Sequence, residues 1–243
     1  MTIREDIESD EVIVAGVIPY GEVDCIVRCF GRTRGRFSAF ARGARASRRR
    51  FPGLMAPALG KAMIRPRRGD MLDLVELDTD TRLMDLAKDL RAWGFCGYVI
   101  ELVERFVPEG APLPGFFDVV SDTITGLARH GAQARVLRAF ELRLLDELGV
   151  LPDLSDAVDE PGQPVTAYDP VRGHLLARPG PQTVPFSDSA RQAAIYLMQV
   201  SASEAVDLSI DDDVLREVSR IFSNWLRRQD VTLRSLEVLK QMR

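Results

Sequence analysis

The spacing of apolar residues changes once along the chain, near residue 80, and no other feature constrains the fold as much. Before the change, short β-branched runs alternate with glycine-rich turns. These runs are residues 11–18, 23–30, 36–41, 57–64 and 71–77, with turns at Pro19-Tyr20-Gly21 and Gly31-Arg32-Thr33-Arg34-Gly35. About five short strands with no long helix between them predict a small barrel or sandwich. After the change, Leu83, Leu86, Leu90, Trp93, Gly97 and Ile100 recur at three- and four-residue spacing. That spacing predicts an amphipathic helix reaching about residue 106.

Most of the remaining chain keeps the helical period. Residues 108–114, which hold three prolines, break the first helix, and 116–128 reads as a second. A third spans 133–148, with Val136, Leu137, Phe140, Leu144, Leu145 and Leu148 on one face and Gly149 placed to cap its C-terminus. Residues 153–185 hold six of the 14 prolines, and 165–168 with 174–177 predict a small hairpin. Ser187 is placed as the N-cap of a helix to Val200. Residues 211–228 form another, with three aspartates in its first turn and Arg227 and Arg228 in its last, which suits the helix dipole. A short helix over 233–242 ends the chain. The expected fold class is therefore α+β: a β-domain over 1–80, then an α-helical domain over 81–243 with an irregular hairpin segment at 150–186.

Charge is distributed unevenly over this plan. The net charge is −4, yet from Arg28 to Arg68 there are thirteen Lys or Arg residues and no Asp or Glu. A local field of that kind steers a polyanion whatever the total charge is. Arginine dominates, with Lys61 the only lysine, and guanidinium groups bridge phosphate oxygens and stack on bases. The expected DNA-binding residues are Arg34, Arg36, Arg42, Arg45, Arg48, Arg49, Arg50, Arg65, Arg67 and Arg68. Residues 42–52 carry no apolar periodicity and read as an exposed, mobile loop. Phe30, Phe37, Phe40 and Phe51 are interleaved with the arginines. They read either as barrel core or as rings on which bases stack.

Sites for chemistry are scarce. Cys25 and Cys29 share a strand face with no histidine near, and read as core or surface thiols rather than as metal ligands. The three cysteines suit a reducing cytoplasm. The acidic, polar segment 1–10 does not read as a secretory signal. His130 and His174 are isolated, and no phosphate-binding loop or nucleophile elbow is found. Consecutive positions on a helix point about 100° apart, so Asp211, Asp212 and Asp213 read as a helix start and not as a nuclease centre. No cofactor, metal or enzymatic activity is expected. On the third helix, Arg138 beside apolar positions can clamp an acidic-aromatic peptide, or can pair with Glu141.

Five segments together resemble one family. Ile18-Pro-Tyr-Gly-Glu-Val-Asp, Phe30-Gly-Arg-Thr-Arg-Gly-Arg and Ala41-Arg-Gly-Ala-Arg-Ala-Ser-Arg-Arg-Arg are similar to the opening of the bacterial RecO recombination mediators. Leu137-Arg-Ala-Phe-Glu-Leu-Arg-Leu-Leu-Asp-Glu-Leu-Gly and Leu233-Arg-Ser-Leu-Glu-Val-Leu resemble two of that family's helices. The resemblance implies an N-terminal OB-fold barrel, binding of single- and double-stranded DNA, strand annealing, and action with RecR to load RecA on DNA coated with SSB. It implies capture of the acidic SSB C-terminal tail through Arg138, and a cytoplasmic, nucleoid-associated protein. Two departures stand out. The family's second arginine is Ala139 here, and the four zinc-binding cysteines of many relatives are absent from residues 152–165, which leaves packing to hold a mobile hairpin. A metal-dependent nuclease sharing an OB-type barrel, and a basic adaptor for RNA or protein, are the rival readings.

Overall fold

The computed structural model describes residues 7–67 and 71–241. Five strands open the chain: β1 (Glu8–Tyr20), β2 (Asp24–Gly31), β3 (Gly35–Ala41), β4 (Ala58–Pro66) and β5 (Leu72–Thr79). They close into a barrel of order β1-β2-β3-β5-β4, antiparallel except for the β3–β5 pair. This is the closed five-stranded barrel of an OB fold. Cys25, Val27 and Cys29 of β2 and Ala39 and Ala41 of β3 point inward with Val12, Val14, Ile64, Leu74 and Leu77. Alternation along a strand puts Ile26, Arg28 and Phe30 on the outer face. A bulge in β1 between Val14 and Gly16 preserves this phase on both sides of the kink. A Cβ at Gly16 would run into the Arg28 guanidinium, so glycine is what lets that side chain cross β1.

The predicted strands are all present, with β1 extending through Pro19 and Tyr20. The predicted first helix is divided. Thr81–Lys88 is a 3₁₀ segment, and α1 (Leu90–Phe106) starts only where Asp89 caps it by accepting the N–H groups of Arg91 and Ala92 at 3.0 Å. Then follow α2 (Pro114–His130) and α3 (Ala134–Glu147). The chain forms two compact units, 7–121 and 122–241, and the division falls within α2.

In the second unit, α3 is the central element. It packs against α4 (Asp188–Gln199), α5 (Ala202–Asp207) and α6 (Asp212–Arg227), and α7 (Arg234–Gln241) ends the chain. Ala139, Glu141 and Leu142 are buried as well as the predicted apolar face, so α3 is enclosed on more than one side. Gly149, at φ +67°, follows the C-cap as expected. Ser187 caps α4, its hydroxyl accepting the Ala190 N–H at 3.2 Å. The short α5, which the sequence pattern did not reveal, has a reciprocal capping box between Ser201 and Glu204.

The proline-rich segment carries β6 (Ala167–Asp169), β7 (His174–Leu176) and a third strand, β8 (Val184–Pro185). Packing is not its only support. Asp159 accepts the N–H groups of Ala177 and Arg178 at 2.7 and 3.1 Å, and Asp169 accepts those of Val171 and Arg172 at 2.8 and 3.1 Å. Asp153 and Asp156 accept those of Ser155 and Gly162, both at 2.8 Å. Aspartate-to-backbone bonds tie together the segment that the family resemblance associates with zinc. Leu154, Ala157, Val165, Tyr168, Leu175 and Phe186 form its buried side.

Candidate nucleic-acid interface

Folding divides the basic stretch into two groups. At the β2–β3 end, strands and helices bring up acids that the local sequence lacks. Arg32 pairs with Glu11 and Asp118, and Arg34 with Glu8. Arg28 pairs with Glu104 at 3.1 Å, and Arg36 donates to the Val107 carbonyl at 2.6 Å. Burial pushes the Glu104 carboxyl above its ordinary range, with Arg28 and Arg36 pulling against it. Asp10, itself buried, accepts the Thr33 N–H at 3.1 Å and holds the turn. Gly35 in that turn has φ +67°, and a Cβ there would strike the Ala111 backbone.

The other end of the barrel keeps its cations. Arg42, Arg48 and Arg49 are exposed, and no carboxylate among the described residues pairs with them. Arg45 donates to the Glu22 carbonyl at 2.9 Å, and Arg50 to the Arg42 carbonyl at 2.9 Å, so both hold the loop while keeping their charge. The loop is anchored and not free as expected. Phe51 and Ala44 enter the barrel core, Leu77 donates its N–H to the Arg50 carbonyl at 2.9 Å, and Thr79 donates its hydroxyl to the Pro52 carbonyl at 2.7 Å. Arg65 and Arg67 share Asp73, at 3.1 and 3.4 Å. Arg68 lies outside the described residues.

The aromatic residues divide as well. Phe51 is inside the barrel, Phe37 packs partly against its core, and Phe30 is covered on the outer face by Phe116 and Phe117. Phe40 also points outward, under the Arg67 guanidinium at 4.3 Å from its ring centre and beside Tyr20 at 5.7 Å. The exposed ring is thus Tyr20, which sequence reasoning treated only as a turn residue. Alternation counted from Val12 and Val14 would turn Ile18 and Tyr20 inward; the bulge between Val14 and Gly16 is what carries them to the outer face.

Burial pushes the Cys29 and Cys96 thiols up to about 12, so both sit as core side chains. No three His, Cys, Asp or Glu side chains among the described residues gather as a metal-ligand set. Asp212 and Asp213 lie in the first turn of α6, and Asp213 pairs with Arg216. In the helical unit, Arg138 pairs with buried Glu141 at 2.9 Å. Arg135 donates to the Val206 carbonyl at 2.7 Å, and Arg143 to the carbonyls of Met198 and Val200, so both close helix C-termini. Ala139 is 2% exposed, and the position of the family's second arginine is core in this chain.

Residues 6–77 match the family described as Recombination protein O N terminal, and residues 87–235 match Recombination protein O C terminal. The chain belongs to the RecO family. The curated relatives are named DNA repair protein RecO. One, from Anaeromyxobacter dehalogenans, is 33% identical over 224 residues, covering 88% of each chain. Another, from Pelobacter propionicus, is 34% identical over 174 residues, covering 71% of this chain and 69% of its own length. A third, from Geobacter sulfurreducens, is 35% identical over 139 residues, or 57% of each. RecO membership places this chain in DNA repair and recombination. No helix among the described residues is long and apolar enough to cross a membrane.

Proposed function

We propose that this RecO-family protein is a non-enzymatic recombination mediator that holds DNA on the arginine-bearing end of its barrel. The observation that carries this is the set of three exposed arginines, Arg42, Arg48 and Arg49, with no ion-pair partner among the described residues. Each neutralises a phosphate and releases condensed counterions, which supplies affinity without reading sequence. Arg45, Arg50 and Arg67 reinforce that field; Arg34, Arg36 and Arg65 are held by Glu8, the Val107 carbonyl and Asp73, and contribute through their charge. Two strands so neutralised approach each other and anneal, a step that needs no nucleotide. In the same proposal the protein acts with RecR in the nucleoid to load RecA on SSB-coated DNA, and the helical unit captures the acidic SSB tail with Arg138.

Replacing Arg42, Arg48 and Arg49 together by alanine lowers affinity for single- and double-stranded DNA alike. It also flattens the salt dependence by roughly 0.7–0.9 per arginine in the log–log slope. Anisotropy titrations between low and high salt check this. Unchanged slopes remove these residues from the interface. Including magnesium in an annealing assay reads out the nuclease rival as strand cleavage.

A further inference from the structure

We propose that Tyr20 is a stacking platform for the bases of a single nucleic-acid strand. The inference rests on the barrel being the DNA-binding unit, and deepens that reading by naming the strand class. The inward residues Cys25, Val27, Cys29, Ala39 and Ala41 leave their neighbours on the outside of the barrel. A row of partners then crosses the outer face, Ile18 opposite Ile26, Ile26 opposite Phe40, and Phe40 opposite Asp73, with Tyr20 opposite Asp24 at the strand end. Phe40 is 7% exposed because Tyr20 meets it edge-on, at 82° between ring planes, and Arg67 lies over it. Tyr20 is 57% exposed and Ile18 45%. This is the β2–β3 face beside the β1–β2 turn, a face that OB folds use for oligonucleotides.

The surroundings choose the occupant. The Asp24 carboxylate accepts the Gly43 N–H at 2.7 Å, and Arg45 donates its N–H to the Val23 carbonyl at 3.0 Å. The arginine loop is therefore stitched to the turn beside Tyr20, with Arg42 and Arg45 flanking the stitch. Asp73 is held by Arg65 and Arg67. A half-exposed aromatic ring that packs on Phe40, which Arg67 covers, and that borders a turn bonded to the arginine loop suits a polymer that alternates phosphates with flat apolar bases. A duplex offers the phosphates but hides the base faces. Stacking on an aromatic side chain is indifferent to sequence, as a mediator of annealing requires.

The test uses the full chain and three probes: an oligothymidylate, an abasic phosphodiester of the same length, and a blunt duplex. Tyr20→Ala and Tyr20→Leu weaken oligothymidylate binding roughly 5- to 150-fold, the range of one stacked base. Binding of the abasic strand and the duplex changes less than about twofold in the same variants, and Tyr20→Phe keeps the wild-type preference. Leucine still covers Phe40, so it separates stacking from loss of packing. If Tyr20→Leu binds oligothymidylate like the wild type, or weakens all three probes equally, the platform is overturned. If an acidic peptide instead loses its binding in Tyr20→Leu while oligothymidylate keeps its own, the patch is a protein contact and the proposal falls. Failure of the wild type to bind any of the three probes would overturn the DNA-binding reading itself, whereas silent variants of a competent wild type remove Tyr20 alone.

Discussion

Arg138 shows how a side chain's role is decided by its partner. Read along the sequence, it is a cation beside apolar positions; in the fold, its guanidinium lies in an ion pair with Glu141 at 2.9 Å on a helix with little free surface. Removing one member of such a pair leaves the other charge uncompensated, which costs more than the pair is worth. In the proposed capture of the SSB tail, an incoming peptide carboxylate has to displace Glu141. Glu141→Gln therefore frees Arg138 and tightens binding of an acidic SSB-tail peptide several-fold. Adding Arg138→Met to it removes the charged contact and loses that gain. Calorimetric titration checks both, and equal affinity in all three proteins takes Arg138 out of the site. The position pattern made Arg138 visible, but nothing local indicated that Ala139 would lie in the core.

At the scale of elements, the contrast lies between periodic segments and the proline-rich one. Strand alternation and the helical period located β1–β5 and the longer helices, because burial of one face imposes a period that sequence records. The 3₁₀ segment, α5 and β8 were missed. Each is short and set by contacts such as the Ser201–Glu204 box, where periodicity carries no information. The segment from Asp153 to Pro185 is held by carboxylates that accept backbone N–H groups. The bond from Ala177 holds Asp159 below the usual carboxylate range, and those from Ser155 do the same for Asp153. For Asp169, burial pushes upward but the N–H groups of Arg172 and Val171 outweigh it. A carboxylate whose folded value is depressed stabilises above its unfolded value near about 4 and loses that contribution as pH falls through the folded value. Hydrogen exchange at Ala177 and Arg178 should thus lose protection, after correction for intrinsic rates, below about pH 4. Asp159→Ala should show the same loss at pH 7. Protection that is unaltered in the variant would leave packing as the sole support of the hairpin.

For the whole molecule, the total charge is a poor guide to association. The net charge of −4 by itself predicts repulsion from DNA. The exposed arginines at one end of the barrel produce a local field that acts within a Debye length, about 8–10 Å at physiological salt. Stopped-flow association with a single strand should therefore slow as salt rises, the sign of attraction. A rate that increases with salt would mean that the acidic remainder dominates the encounter.

Legible in the residues alone were the strand-then-helix plan, the five short strands, and the stretch of cations without local acids. These follow from periodicity and composition, which act within a few residues. Which cations remain available is set by the fold. Glu8, Glu11, Glu104 and Asp118 reach Arg34, Arg32 and Arg28 from separate segments, while Arg42, Arg48 and Arg49 meet no such partner among the described residues. Coulomb attraction acts through space between groups that chain order leaves far apart, so the fold had to fix their distances before their charges could be assigned.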